Sequence, residues 1–223
     1  MKPLILWDID GTLLSTGGAG RGALDAAFED LHGVPRAFKG VNFGGRTDHG
    51  IATQAFTLAG LPCDDDAIQQ LLETYLPKLQ ARLVERRADI VLHPAVPSIV
   101  DDCAPLATNA LLTGNWREGA RHKLQAVDLW NRFAFGAFGD DSADRNDLVP
   151  VARGRCPYRP PAVVVIGDTL ADIACARAGG AIAVAVCTGW ADRDTLVGGE
   201  PDLLLEDLES GRDALLELLD GLG

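Results

Sequence analysis

The chain has no excess of positive charge, no CxxC pair and no long apolar run. Its 20 Lys and Arg against 32 Asp and Glu leave a formal net charge of -12. A duplex-DNA or RNA binder needs a basic patch to displace counterions, so nucleic acid is argued against, and an anionic membrane surface more weakly so. A small anionic substrate is still allowed, because a local site can be positive inside a negative protein. The cysteines are few, odd in number and scattered: Cys63, Cys103, Cys156, Cys175 and Cys187. With the four histidines they show no zinc spacing, and they read as free thiols of a reducing compartment. The first residues are too short an apolar run, and too acidic, for a secretory signal. The stretch Ala181–Cys187 cannot span a bilayer. There is no internal repeat and no low-complexity segment. The expectation is a soluble, cytoplasmic protein with no nucleic-acid or membrane partner.

What is present is an alternation of apolar runs and helical stripes. Leu4–Trp7 reads as a buried strand. A helical region follows over roughly 20–90, with Leu24, Phe28 and Leu31 at helical spacing, then Ile51, Ala55 and Leu58. Gly60-Leu61-Pro62 stops that second helix. Ile68, Leu72, Tyr75, Leu79 and Leu83 form a longer stripe, with a bend expected at Pro77. No good strand is visible there. From about residue 95 strands and helices alternate, with strands ending at Leu112, near 138, at Ile166 and at Val186, and a short edge strand at Leu203–Leu205. Alternation of this kind means an α/β fold with a doubly wound parallel sheet, whose ligands bind at the carboxyl ends of the strands.

Three of those strand ends carry polar groups. "LILWDIDGTLLS", residues 4–15, ends in Asp8 and Asp10. Alternate side chains of an extended segment point the same way, so both carboxylates share one side, a few ångströms apart on the order of one pleat repeat. Their repulsion calls for a cation, a shared proton or many donors, and a hard divalent ion, magnesium by default, is the simplest answer. The bland alternative is an Asp-Gly turn. "LLTGN", residues 111–115, offers the Thr113 hydroxyl and the Gly114 and Asn115 amides to an anion. Its plainer reading is a helix capped by Asn115. "VVVIGDTLADI", residues 163–173, places Asp168 and Asp172 at the same edge, or else caps a helix with Asp168 or Thr169. Four acids together require positive charge. Arg145 could bind a phosphate bidentately, and Lys123 is its rival unless it is a surface lysine. In "NFGGRTDHG", residues 42–50, Arg46 on a Gly-rich loop could read a substrate anion, and Thr47 could cap the next helix. The three acids at 64–66 read as a solvated helix start, Trp116 as packing, and His32, His93 and His122 as non-catalytic.

Asp8-Ile9-Asp10-Gly11-Thr12, Thr113, a basic residue and Gly167-Asp168-x-x-x-Asp172 resemble the four motifs of the haloacid dehalogenase (HAD) superfamily. The nearest flavour is the phosphoglycolate-phosphatase-like or beta-phosphoglucomutase-like subgroup. The resemblance implies a Rossmannoid core over 1–15 and 91–223, with a helical type-one cap over 16–90. It implies a magnesium-dependent phosphomonoesterase acting on a small phosphate ester such as phosphoglycolate. Asp8 would be the nucleophile, and Asp10 would protonate the leaving oxygen and then activate water. Magnesium would be held by Asp8, the Asp10 carbonyl and Asp168, with Asp172 as a ligand or behind one. Thr113, Gly114 and Asn115 would hold phosphate, together with Arg145 or Lys123, while Arg46 and Asp48 would contact substrate. One departure stands out. The third motif is usually a lysine, and here the segment reads Asp144-Arg145-Asn146-Asp147. A dehalogenase or a mutase of the same fold remains an alternative, as does a receiver-like module phosphorylated on Asp8.

Overall fold

A computed structural model describes residues 1–93 and 95–223. In chain order the elements are β1 (Leu4–Trp7), β2 (Leu14–Ser15), α1 (Ala19–His32), α2 (Asp48–Ala59), α3 (Asp65–Glu85) and β3 (Val91–Leu92). Then come α4 (Val96–Cys103), β4 (Thr108–Leu112), α5 (Arg117–Gln125), β5 (Gly136–Ala137), α6 (Leu148–Arg155) and β6 (Val163–Gly167). The chain ends with α7 (Leu170–Ala178), β7 (Ile182–Val186), α8 (Arg193–Gly198), β8 (Leu203–Leu205) and α9 (Arg212–Asp220). Among the described residues no helix is long and apolar enough to cross a membrane.

Six strands form one parallel sheet in the order β5-β4-β1-β6-β7-β8. Both faces of β1 are covered. Ile5 and Trp7 pack into one apolar cluster with α4, α5 and α9, and Leu4 and Leu6 into another with α6 and α7. A strand buried on both sides has no polar face to alternate with, which is why it reads as an unbroken apolar run. Trp7 pairs with Leu111 on one side and Ile166 on the other, so three strands finish level. The order reverses around β1: the chain moves outward through β4 and β5, then returns to its other side as β6. That reversal opens the crevice where such sheets bind ligands.

The helical stretch forms its own cluster. α1 packs along α3, and Phe28 meets Phe38 and Phe56 edge-on at centroid distances of 5.8 and 4.9 Å. The buried face differs slightly from the sequence expectation. Leu71 is buried where Leu72 was expected, and Leu58 is 61% exposed while Phe56 fills the core. α3 continues through Pro77 as one helix, missing only the bond that residue cannot donate. Thr47 caps α2 by accepting from the Gly50 amide at 3.1 Å, and Asp64 caps α3 from the Ala67 amide at 2.9 Å. Two features escaped the sequence. β2 and β3 form an antiparallel ribbon, Leu14 opposite Leu92 and Ser15 opposite Val91, which closes the two ends of the helical stretch. Two residues are too few to show alternation. α8 buries only Leu196, so it carries no stripe.

One buried polar side chain sets the position of β1. Asn109 accepts from the Trp7 indole N–H at 3.0 Å and donates to the Val100 carbonyl at 2.8 Å. Asn109→Ala strands both partners in the core and is expected to cost about 2–4 kcal/mol in urea unfolding. A loss below about 0.5 kcal/mol would show that water replaces the amide.

Candidate active site

Asp8 is the first residue beyond β1, and its amide still bonds the Ile166 carbonyl at 2.9 Å. The chain then turns sharply at Gly11, whose φ of +92° suits glycine and whose missing side chain leaves room for the Asp168 carboxylate. Thr12 donates its hydroxyl to Asp168 Oδ1 at 3.2 Å, and the Trp190 amide donates to Asp168 Oδ2 at 2.7 Å. Asp172 sits one turn into α7. Its Oδ2 accepts from the Thr169 amide at 3.0 Å and hydroxyl at 2.6 Å, completing a capping box. The capping reading of that segment is therefore correct, and the same carboxylate also faces the site. Carboxylate oxygens of Asp8, Asp168 and Asp172 lie within 4.8 Å of one another, all buried.

Arg145 relieves this crowding. It lies in a helical turn, 145–147, before α6, and its Nη2 contacts Asp172 Oδ1 and also Asp8 Oδ1 at 3.2 Å. Its Nε is buried without a partner among the described residues. Burial pushes the Asp8 carboxyl up to about 7, against the pull of Arg145 and with help from Asp172 and Asp10. Asp168 is pushed up to about 8 by burial, then by Asp8 and Asp172. Burial alone would lower the Arg145 value, but Asp172 and Asp8 outweigh it and hold the guanidinium above its ordinary range.

A second network surrounds Asp10. Lys123 is buried on α5, and its ammonium donates to Asp10 Oδ2 and to Asn115 Oδ1, each at 2.5 Å. The Asn115 amide group donates to Asp10 Oδ2 and to the Thr113 hydroxyl, each at 2.8 Å. Lys123 is thus no surface lysine, and it is no rival of Arg145, because each cation serves a different carboxylate. Asn115 does not cap α5: that position is Trp116, without a side-chain bond.

The loop before α2 closes over this edge. The Asp48 amide donates to the Gly114 carbonyl at 2.7 Å, and Asp48 Oδ2 accepts from the Trp116 amide at 2.9 Å. Gly114 has to be glycine here, since a Cβ would collide with the Arg46 carbonyl. Burial pushes Asp48 up to about 6, with Lys123 opposing. Arg46 is exposed and folds back to Gln54 and to the Gly50 carbonyl. A cavity of about 460 Å³ lies between the strand ends and these helices, bordered by Asp8, Asp10, Thr113, Lys123, Arg145 and Arg46.

The family described as haloacid dehalogenase-like hydrolase matches residues 5–177, and a second, HAD-hydrolase-like, matches 146–210. The chain belongs to the haloacid dehalogenase-like hydrolases.

Within this family the curated relatives carry phosphatase names. A phosphoglycolate phosphatase of Synechococcus elongatus is 33% identical over 152 residues, covering 64% of this chain and 72% of that protein. IndB of Dickeya dadantii, described as a probable phosphatase, is 25% identical over 230 residues, covering 98% and 96%. Two solved structures share the fold. A hydrolase from Pseudomonas syringae has a TM-score of 0.73 at 21% identity, covering 98% of this chain and 99% of its own. CbbY from Rhodobacter sphaeroides, solved with phosphate, has 0.74 at 19%, covering 95% and 96%. The protein is accordingly an enzyme of the HAD phosphatase type.

Sequence reasoning missed Thr188 and the Trp190 amide at the edge of this HAD site, and named Thr12 and Thr169 only as a motif residue and a helix cap. Thr12, Thr169 and the Trp190 amide hold the acids, and the Thr188 hydroxyl donates to the Gly11 carbonyl at 2.7 Å. A signal existed for the last pair: Thr188-Gly189-Trp190 after β7 repeats the strand-Thr-Gly pattern of Thr113-Gly114-Asn115.

Raised carboxyls make stability depend on pH. Asp8 and Asp168 keep protons in the folded protein that the unfolded chain, near 3.8, has already released. Their contribution is present below 3.8 and lost as pH rises through about 7 and 8. His93 and His122, lowered chiefly by burial, act the other way only below their ordinary 6.5. In EDTA, thermal stability is expected to fall between about pH 6.5 and 8.5, and Asp168→Asn to flatten that slope. A flat or rising profile for the unmodified chain would contradict these shifts.

Proposed function

We propose that this protein is a magnesium-dependent phosphomonoesterase that acts through an aspartyl-phosphate on Asp8. The observation that carries this reading is the division of labour at one strand end. Asp8 and Asp10 leave β1 together, yet Asp8 belongs to the Arg145 network and Asp10 to the Lys123 network. One is a carboxylate set among acids, the other a carboxylate set among donors.

The donor set fits a hard cation. Three buried carboxylates are poorly compensated by one guanidinium, burial raises the proton affinity of Asp8 and Asp168, and oxygen ligands suit magnesium. Asp8, the Asp10 carbonyl and Asp168 would hold it. Asp172, held by Arg145 through one oxygen and by Thr169 through the other, would be a further ligand or stand behind them. When bound, magnesium offsets the charge that opposes the approach of a phosphate to Asp8.

The residues then have separate tasks. Thr113, the Gly114 amide, Asn115 and Arg145 hold the phosphate oxygens. An Asp8 oxygen forms a bond to phosphorus as the ester P–O bond breaks, and Asp10 gives a proton to the departing oxygen. Asp10 then takes a proton from water as that water attacks phosphorus, freeing the Asp8 carboxylate and inorganic phosphate. Lys123 and Asn115 fix Asp10 through Oδ2, so the other oxygen can carry the proton. Positioning and charge neutralisation are most of what phosphoryl transfer requires. Residues 16–90 act as a cap over a core of 1–15 and 91–223. The ribbon at the two ends of that stretch, and its separate apolar cluster, support the division. Arg46 and Asp48 belong to the cap's rim.

The test is phosphate release from a panel of phosphomonoesters, phosphoglycolate among them because a relative carries that name. The unmodified enzyme should turn over with magnesium and stop with EDTA. Asp8→Asn should lower kcat by at least about a thousandfold. No release from any ester, or an unaffected mutant, would refute the proposal.

A further inference from the structure

The cavity over Asp8 is larger and more apolar than a two-carbon phosphate ester requires. Its volume of about 460 Å³ equals roughly fifteen water-sized volumes, in the range of pockets that enclose drug-sized ligands. A phosphate group at Asp8, Thr113 and Arg145 takes only the floor. The lining also includes Leu24, Val41, Phe43 and Ile51, an apolar surface that a single methylene cannot cover.

Two flat aromatic surfaces border the cavity, one from the helices and one from the sheet edge. The Arg21 guanidinium lies over the Phe43 ring, 5.3 Å from its centroid, while donating to the Phe38 carbonyl at 2.8 Å. Trp190 borders the cavity too; its backbone amide is fixed on Asp168, and the residue is 67% exposed. Arg21 and Arg46 also line the cavity, adding positive charge to an otherwise acidic chain. Aromatic faces stack on rings, and guanidinium groups bind oxygen acceptors or anions.

We infer that the substrate is a phosphate monoester of a ring-bearing alcohol, about the size of a nucleoside 5′-monophosphate, with oxygen acceptors facing Arg21 and Arg46. The inference rests on the phosphomonoesterase reading above and narrows its substrate.

Two measurements test it. The first is kcat/KM with magnesium for uridine 5′-monophosphate, 4-nitrophenyl phosphate and phosphoglycolate. The second is calorimetric binding of uridine 5′-monophosphate and phosphoglycolate to the Asp8→Asn protein, which needs no turnover. Ring esters should exceed phosphoglycolate by at least about tenfold in both. Trp190→Ala, at an exposed position, and Phe43→Ala should each shift that ratio about tenfold towards the small ester, mainly through KM. Turnover with phosphoglycolate preferred would overturn the inference and leave the phosphatase reading intact. Preferential binding of the ring ester without turnover of anything would uphold the pocket and sink the phosphatase reading. Equal binding of both, or variants that leave the ratio unmoved, would overturn the inference.

Discussion

The crowding of three buried carboxylates at one sheet edge is the constraint on which the rest depends. Asp8, Asp168 and Asp172 come from two adjacent strand ends and the helix that follows one of them, and nothing in the apolar layers beneath can share their charge. Like charges at that separation in a low dielectric stand only if cations or donors are delivered to them. The fold delivers them from above and from the side. A turn before α6 brings Arg145, the Gly11 turn brings Thr12, the loop after β7 brings the Trp190 amide, and Thr169 caps its own helix onto Asp172. Parallel register makes this possible, because strands that end level present their next residues to one small volume.

The helices over this edge are joined to it by polar contacts and by apolar packing at one place. Asp48 bonds the loop after β4 twice, and Thr47 bonds the Ala143 carbonyl at 2.9 Å. Apolar packing joins them where α5 meets α3: Trp116 packs against Tyr75, and Gly119 lies beside Tyr75 and Leu79. Hydrogen bonds of this kind contribute about 1 kcal/mol net each, little beside the burial within either cluster.

Much of this was legible in the sequence, for physical reasons. An apolar run that stops at Asp8, at Thr113 or at Asp168 marks a strand end with chemistry on it, because burial on both faces leaves no other place for polar groups. Helices α1, α2 and α3 showed themselves through spacing, although Leu58 faces outward and Leu72 is only partly buried against the cluster. What stayed hidden depended on partners distant in sequence. Lys123 looks like a boundary lysine until Asp10, 113 residues away, is seen to hold it. Asn115 looks like a cap until its amide is seen to bridge Asp10 and Thr113. The ribbon of β2 and β3 is two residues long, and pairing, not pattern, creates it.

Arginine at 145 and a buried lysine at 123 are best understood as one solution. A guanidinium is a planar fork, and Arg145 uses one nitrogen to meet both Asp172 and Asp8, whereas an ammonium is a compact point charge. An arginine so committed lies with the acids and makes no contact with Asp10 among the described residues. Asp10 therefore needs its own counter-charge, and Lys123 supplies it from α5, while also donating to Asn115, whose amide bonds Thr113. Where the third motif's usual lysine is missing, two full positive charges stand at this edge, Arg145 beside Asp8 and Lys123 beside Asp10.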